Sequence, residues 1–366
     1  MNLRLGKFGR QESASAVLLA TVVCGCFAID PTMQFAHGNA SYLTVPVAAV
    51  LSLLLFEATI AAIRRRGGCS LSCLIGTSKS KALLSVPLLL ALLLAAIRPQ
   101  ILFSETVTDF IFLQTDRTNI CLYVLPCLLL LTVLGAETLV RASRIFLPLL
   151  VLSLLSALLL AIPQYRAYRL YPIPLGAPLS LLSECVRTMF RTSVPLIALL
   201  CIGEGTQNID ALRFSGRLGV LIGTALTVAA LIGLSLSFSY GQLQKMPSPF
   251  YRLLVEVRTE NPTMRLDRAT LFLWMAISLL SSAFYLYAAC VLFAKTFSVR
   301  DTRPLACLIC VLAVTLVLLL QNDSEPVRTL RSALDRYAWL LIAIPTPLLW
   351  IKTGGEGRPC ASASCA

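Results

Sequence analysis

The residues placed to do chemistry are few, and most of them lie inside apolar stretches. Arg98, followed by Pro99, interrupts a long aliphatic run, with Glu105 and Asp109 downstream. An ionisable group at such a position marks a functional site by default. Three readings stay open for it: it binds the carboxylate of a small ligand, it pairs with Glu105 or Asp109, or it snorkels outward along its own stem. Cys24-Gly25-Cys26 lies in a short apolar segment ending at Asp30-Pro31, and Ser193 and Pro195 lie in a second short one. A helix broken at such places exposes backbone N–H and C=O groups, which can hold a ligand's carboxylate and ammonium; the alternative is that Gly25 only permits close packing. Ser281, Ser282 and Tyr285 give a third segment one polar face, unless the two hydroxyls bond their own i−4 carbonyls.

Other chemistry is excluded. There is no phosphate-cradling glycine loop, no nucleophile–base constellation and no pair of catalytic acids, so an enzyme reading has nothing to rest on. His37 is the only histidine, so no multi-histidine metal site is available. Cys307 and Cys310 are spaced C-x-x-C but sit within an apolar run, as do most of the 13 cysteines, where they act as small hydrophobes. Nothing implies a metal or other cofactor.

The elements that must position these residues are membrane spans. Of the 366 residues 57% are hydrophobic and 13% charged, with a mean hydropathy of +0.81. About a quarter of a soluble domain is charged. A helix crosses the hydrocarbon with about 20 mostly apolar residues. Spans are predicted near 13–30, 41–62, 83–103, 119–136, 145–162, 189–203, 218–239, 269–293, 305–321 and 337–351, in one transmembrane domain with a short cytoplasmic tail at 353–366. The net charge of +13 comes from Lys and Arg scattered over many short loops. Anionic headgroups account for it better than nucleic acid does. With ten spans both termini share a side. Seventeen of the 31 Lys and Arg, including Arg64, Arg65 and Arg66, fall on the side of the amino terminus. Most of the others occupy two long connections, 163–188 and 240–268, which count for little, so the termini are placed in the cytoplasm.

Within those connections, Glu184, Arg187 and Arg191 alternate with Leu181, Leu182 and Met189, which predicts an interfacial amphipathic helix leading into span six. Phe250 to Val257 reads likewise. Glu57 is expected to pair with Arg64–Arg66, and Glu204 and Asp210 to be solvated loop charges. Ser153 is assigned to a lipid-facing or packing surface of span five. Spans one and six are both short and interrupted. In a chain of two five-helix repeats they would be corresponding first helices, and matched interrupted spans point to a transporter-type site.

From Arg98 onward the chain resembles the B subunits of spore germinant receptors, the endospore germination permeases of the amino acid–polyamine–organocation superfamily. The resemblance is carried by Gly135-Ala-Glu137-Thr-Leu-Val-Arg141 with Phe146-Leu-Pro148, and by Arg265-Leu266-Asp267 followed by Trp274, Tyr285-Leu-Tyr287 and Lys295-Thr296-Phe297. Tyr337 through Pro345, with Pro347 and Trp350, is similar to the family's last span. It implies an all-α integral membrane protein of about ten helices in a five-plus-five inverted repeat, with helices one and six broken around a central site. It further implies sensing of a small nutrient such as an amino acid within the spore inner membrane, alongside A and C receptor subunits. Taken with the interrupted spans and the polar face read above, the family's site location makes Cys24, Gly25, Cys26, Ser193, Pro195, Ser281, Ser282 and Tyr285 the candidate ligand-binding residues, with Arg98 and Glu105, from the residue reading alone, as candidate charge partners. Two departures stand out: Cys24-Gly25-Cys26 replaces the family's usual G-x-G, and span six lacks an internal acid. An autonomous H⁺- or Na⁺-coupled amino-acid transporter, or a passive channel or structural subunit, is the alternative.

Overall fold

A chain in lipid must satisfy its backbone hydrogen bonds internally, and the long apolar runs do so as helices. The computed structural model describes residues 6–27, 41–67, 70–76, 81–171, 178–206, 208–246, 248–256, 266–299, 302–322 and 324–353. Asp30-Pro31, His37, Arg265 and the tail beyond residue 353 lie outside the described residues. We number the main helices α1 (Arg10–Val22, continuing as a π-helical turn at Val23–Phe27), α2 (Ser41–Arg65), α3 (Lys81–Phe110), α4 (Arg117–Leu134), α5 (Ala136–Leu160), α6 (Pro178–Cys201), α7 (Ile209–Ser237), α8 (Leu266–Phe297), α9 (Thr302–Leu320) and α10, which is interrupted (Leu340–Ala343 and Pro345–Thr353). Among the described residues, α2 to α5 and α7 to α9 are long and apolar enough to cross a bilayer.

The packing has an internal symmetry. Helix α1 lies against α7, and α6 against α2; α4 and α5 lie against α8, and α9 and α10 against α3; α5 touches α1, and α10 touches α6. Adding five to each helix number turns the first contact of each pair into the second. Helices α1 and α6 run in opposite directions, so the repeat is inverted. One group comprises α1, α2, α6 and α7, the other α3, α4, α8 and α9, with α5 and α10 as the connecting arms. Helix α8 is the hub: 89% of its most apolar stretch is buried, against 17% for α4 at the lipid surface.

The helices differ from the predicted spans where polar residues continue a helix. Helix α3 runs on to Phe110, which places Arg98 well within it rather than near its end. The amphipathic segment around Glu184 and Arg187 and span six form one helix, α6. That helix passes through Pro195 without a break, correcting the expectation of an unwound span six. The missing N–H forfeits one hydrogen bond, which a buried helix tolerates. The helix expected at Phe250–Val257 is present at Pro249–Glu256, and a further one, Glu325–Tyr337, joins α9 to α10. Helices α4 and α5 are joined by Gly135 alone, at φ +93°, a backbone conformation that glycine adopts without strain.

Candidate ligand site

The site forms where α1 loosens. Val23–Phe27 widens into a π turn, a feature frequent at functional positions because it disturbs the regular hydrogen-bond ladder. Alternate residues of the turn face different neighbours. Cys24 meets α8: its Sγ lies 3.2 Å from the Tyr285 hydroxyl, which is fully buried and also 3.5 Å from the carbonyl of Ala20. Gly25 faces α7. A Cβ there would stand 2.6 Å from Thr227 Cγ2, so the glycine sets the approach of the two helices. Phe27 faces α8 across a cavity that Cys26 also lines.

That cavity holds about 500 Å³ of space between atoms, part of it open to solvent. Its walls include Cys26, Phe27, Thr106, Phe250, Trp274 and Ser278. Phe27 stacks on Trp274 with ring centroids 4.5 Å apart and meets Phe250 edge-on at 6.3 Å. The Trp274 indole donates to Ser153 Oγ at 3.1 Å, which fixes the ring. Ser153 is therefore a buried partner of the site wall rather than a lipid-facing residue. The helix Pro249–Glu256 covers the cavity, tied to α3 by a hydrogen bond between Thr106 and Ser248.

The opposite face, which carries the amino terminus, is sealed. Phe8 donates its N–H to the Gly205 carbonyl at 3.1 Å and buries its ring against that glycine. Lys295, near the end of α8, binds Glu204 just after α6. This overturns the reading of Glu204 as a solvated charge. Glu57 pairs with Arg213 and Arg217 of α7 instead of Arg64–Arg66, and Arg64 pairs with Asp210.

The remaining predicted residues divide. Ser282 donates to the Ala96 carbonyl at 2.7 Å and accepts from Gln100 at 2.9 Å, joining α8 to α3 rather than bonding its own i−4 carbonyl. Ser281 is buried with no hydrogen-bond partner for its hydroxyl. Ser193 donates to Ser52 at 2.9 Å and so faces α2, away from α8. Pro195 sits inside α6. Arg98 and Glu105 do not pair with each other: Arg98 binds Asp335 at 2.5 Å and Glu105 binds Arg331 at 2.8 Å, both on the helix Glu325–Tyr337. Asp109 lies 3.7 Å from Arg117. Thr106, Ser248 and Gln100 escaped the sequence reading, and Ser153 entered it only as a lipid-facing or packing residue. The available signal was the aromatic Phe27 directly after Cys24-Gly25-Cys26. Among the described residues no three His, Cys, Asp or Glu side chains gather as a metal set.

An inverted five-helix repeat with a loosened α1 beside α8 defines an all-helical membrane protein of the LeuT-like transporter fold. The nucleobase-cation-symport-1 family transporter MHP1, closed with bromovinylhydantoin bound, is similar with a TM-score of 0.63 and 13% identity, over 93% of this chain and 80% of that one. A mutant of the Eremococcus coleocola manganese transporter is similar with a TM-score of 0.54 and 18% identity, over 92% of this chain and 76% of that one. The same transporter in complex with an aromatic bis-isothiourea substituted compound gives 0.53 and 16%, over 92% and 76%. No curated protein matches by sequence. The spore germination protein family matches residues 75–326, and the chain belongs to that family.

Proposed function

We propose that this chain is the membrane subunit of a spore germinant receptor, binding a small nutrient germinant, an amino acid, within the bilayer and signalling germination. The observation that supports it is the cavity beside the α1 turn, lined by α3 and α8, covered by Pro249–Glu256 and backed by the sealed amino-terminal face. Such a chamber can take up a ligand from one side and respond by rearranging the other. The reading includes A and C receptor subunits as partners, residence in the spore inner membrane, and both termini in the cytoplasm. Cys26 lines that cavity and would bound the ligand; Cys24 and Tyr285, bonded to each other, and Ser281, whose hydroxyl has no partner among the described residues, are buried outside its walls.

The test uses spores carrying Trp274→Ala. Loss of the ring that stacks on Phe27 removes a cavity wall, so germination with amino acids should need a much higher concentration at unchanged protein level. Normal sensitivity at normal abundance overturns the site. A second reading, autonomous transport, is favoured by the fold shared with MHP1. Saturable uptake of a labelled amino acid into vesicles containing this chain alone would establish it in place of the receptor.

A further inference from the structure

A second cavity lies on the other side of the α1 turn, between α1, α2, α6 and α7. It is narrow, with about 290 Å³ of space between atoms, part of it open to solvent, and is lined by Gly25, Thr188, Arg191, Thr192, Thr224 and Thr227, among others. Four helices contribute, and the polar groups are almost all threonine hydroxyls.

Those hydroxyls are not equivalent. A threonine in a helix ordinarily returns its proton to a carbonyl one turn back. Thr21 and Thr227 do this, donating to Val17 at 2.8 Å and to Gly223 at 2.9 Å. Thr192 is engaged with Ser52, 2.5 Å away. Thr188 and Thr224 are different. They are 4% and 7% exposed, both line the cavity, and neither hydroxyl has a hydrogen-bond partner. Buried donors are rarely left so, because an unmade hydrogen bond in the interior forfeits the hydration it replaced.

Arg191 stands one turn beyond Thr188 on the same helix and lines the same cavity. A guanidinium carries five N–H donors in a planar fork, so it can take a further acceptor while another is engaged. Among the described residues no acidic side chain lines the cavity. Two open hydroxyls and a guanidinium beside them offer donors, which suit an anion better than a cation. The planar fork matches the two oxygens of a carboxylate better than a spherical ion.

We propose that this cavity is a carboxylate site: Arg191 takes the two oxygens of a small molecule's carboxylate, and Thr188 and Thr224 donate to the same group. The inference rests on the reading that a small nutrient binds at the α1 turn only in taking that nutrient as the carboxylate's source. Because Gly25 belongs to the turn, occupation here would register at the same element that walls the larger cavity.

The test uses the purified full-length chain in neutral phosphatidylcholine nanodiscs, with propionate and propionamide as isosteric probes that differ in charge. Propionate should raise the melting temperature of the wild type and propionamide should not. Arg191→Gln should weaken propionate roughly 30-fold, the scale of losing charge-assisted hydrogen bonds. The decisive variant is Thr188→Val with Thr224→Val. Without ligand it should melt higher than wild type, because two unpartnered hydroxyls are gone, and its response to propionate should be largely lost. A purely structural pair of threonines cannot produce that reversal of sign. Thr21→Val, whose hydroxyl serves its own helix, should leave the response intact. Equal stabilisation by propionamide, or a wild-type response in the double valine variant, overturns the site, even if Arg191→Gln fails to fold. Spores that germinate normally without this chain would defeat the receptor reading and leave the carboxylate result standing.

Discussion

Lys295 on α8 holds both carboxylate oxygens of Glu204 at 2.9 Å, and Ser70 donates to the same carboxylate at 2.9 Å. The contact draws together α8, the α6–α7 junction and the segment leading into the short helix Leu71–Gly76 on the amino-terminal face. Both side chains are largely shielded, at 20% and 18% exposure, so either charge left alone would be poorly hydrated.

Lys295→Met should therefore destabilise the purified protein by about 1–3 kcal/mol, since it strands the Glu204 carboxylate. Adding Glu204→Gln should recover part of that loss, because the neutral amide keeps the bond from Ser70 without a buried charge. Thermal melting of the singles and the double gives the coupling. Additive effects would mean that the two charges do not sense each other.

The helix Glu325–Tyr337 is tied to α3 by two ion pairs of opposite polarity, Arg98–Asp335 and Arg331–Glu105. Asp335→Asn should lower stability by more than 1 kcal/mol, because Arg98 is only 16% exposed and loses its carboxylate. Asp109→Asn, which touches a half-exposed pair at 3.7 Å, should change it by less than about 1 kcal/mol. Equal effects of the two substitutions would refute the special standing of Arg98.

The spans were legible because nothing but a helix suits long apolar runs in lipid, and Pro249–Glu256 announced itself by its spacing. The helix Glu325–Tyr337 was not seen: Val327, Leu330 and Leu334 form its apolar stripe, but charges fill the rest and it reads as a loop. Partners far apart in sequence were also illegible. Composition suggests a partner for Glu57 among the nearby arginines, whereas the fold supplies Arg213 and Arg217 from α7. Around the α1 turn, the orientations of the side chains were not legible. Cys24 and Tyr285 do meet, but Gly25 and Ser193 turn to α7 and α2, because packing sets the rotation of each helix.

Gly25 is a packing contact with a definite partner. Gly25→Ala should destabilise the protein by about 1–3 kcal/mol through overpacking against Thr227. Thr227→Ala removes the two nearest atoms, so the double variant should recover much of the loss. Failure of Thr227→Ala to help, measured by melting in detergent, would show that Gly25 is needed for something other than space.

Orientation is open to a labelling experiment. With the termini in the cytoplasm, a thiol reagent that cannot cross membranes should leave Cys360 and Cys365 unmodified in intact cells and reach them after permeabilisation. Efficient labelling from outside reverses the topology.

The seal on the amino-terminal face has a single tight point. A Cβ at Gly205 would stand 2.2 Å from Phe8 Cε1, and the Phe8 ring is walled in at 3% exposure. Gly205→Ala should therefore expel Phe8 and break its N–H bond to the Gly205 carbonyl. Cys201, four residues earlier at the end of α6, is fully buried in the sealed state. Its alkylation by N-ethylmaleimide, followed by mass spectrometry of the Cys201 peptide, reports whether the face has opened. We expect at least tenfold faster labelling in Gly205→Ala, on the scale of losing about 1.4 kcal/mol of closure. Phe8→Ala, which vacates the same space without a clash, should also speed labelling, because the plug itself is gone. Should both variants label Cys201 at the wild-type rate, Phe8 is a passenger on this face and Lys295 with Glu204 holds it shut alone.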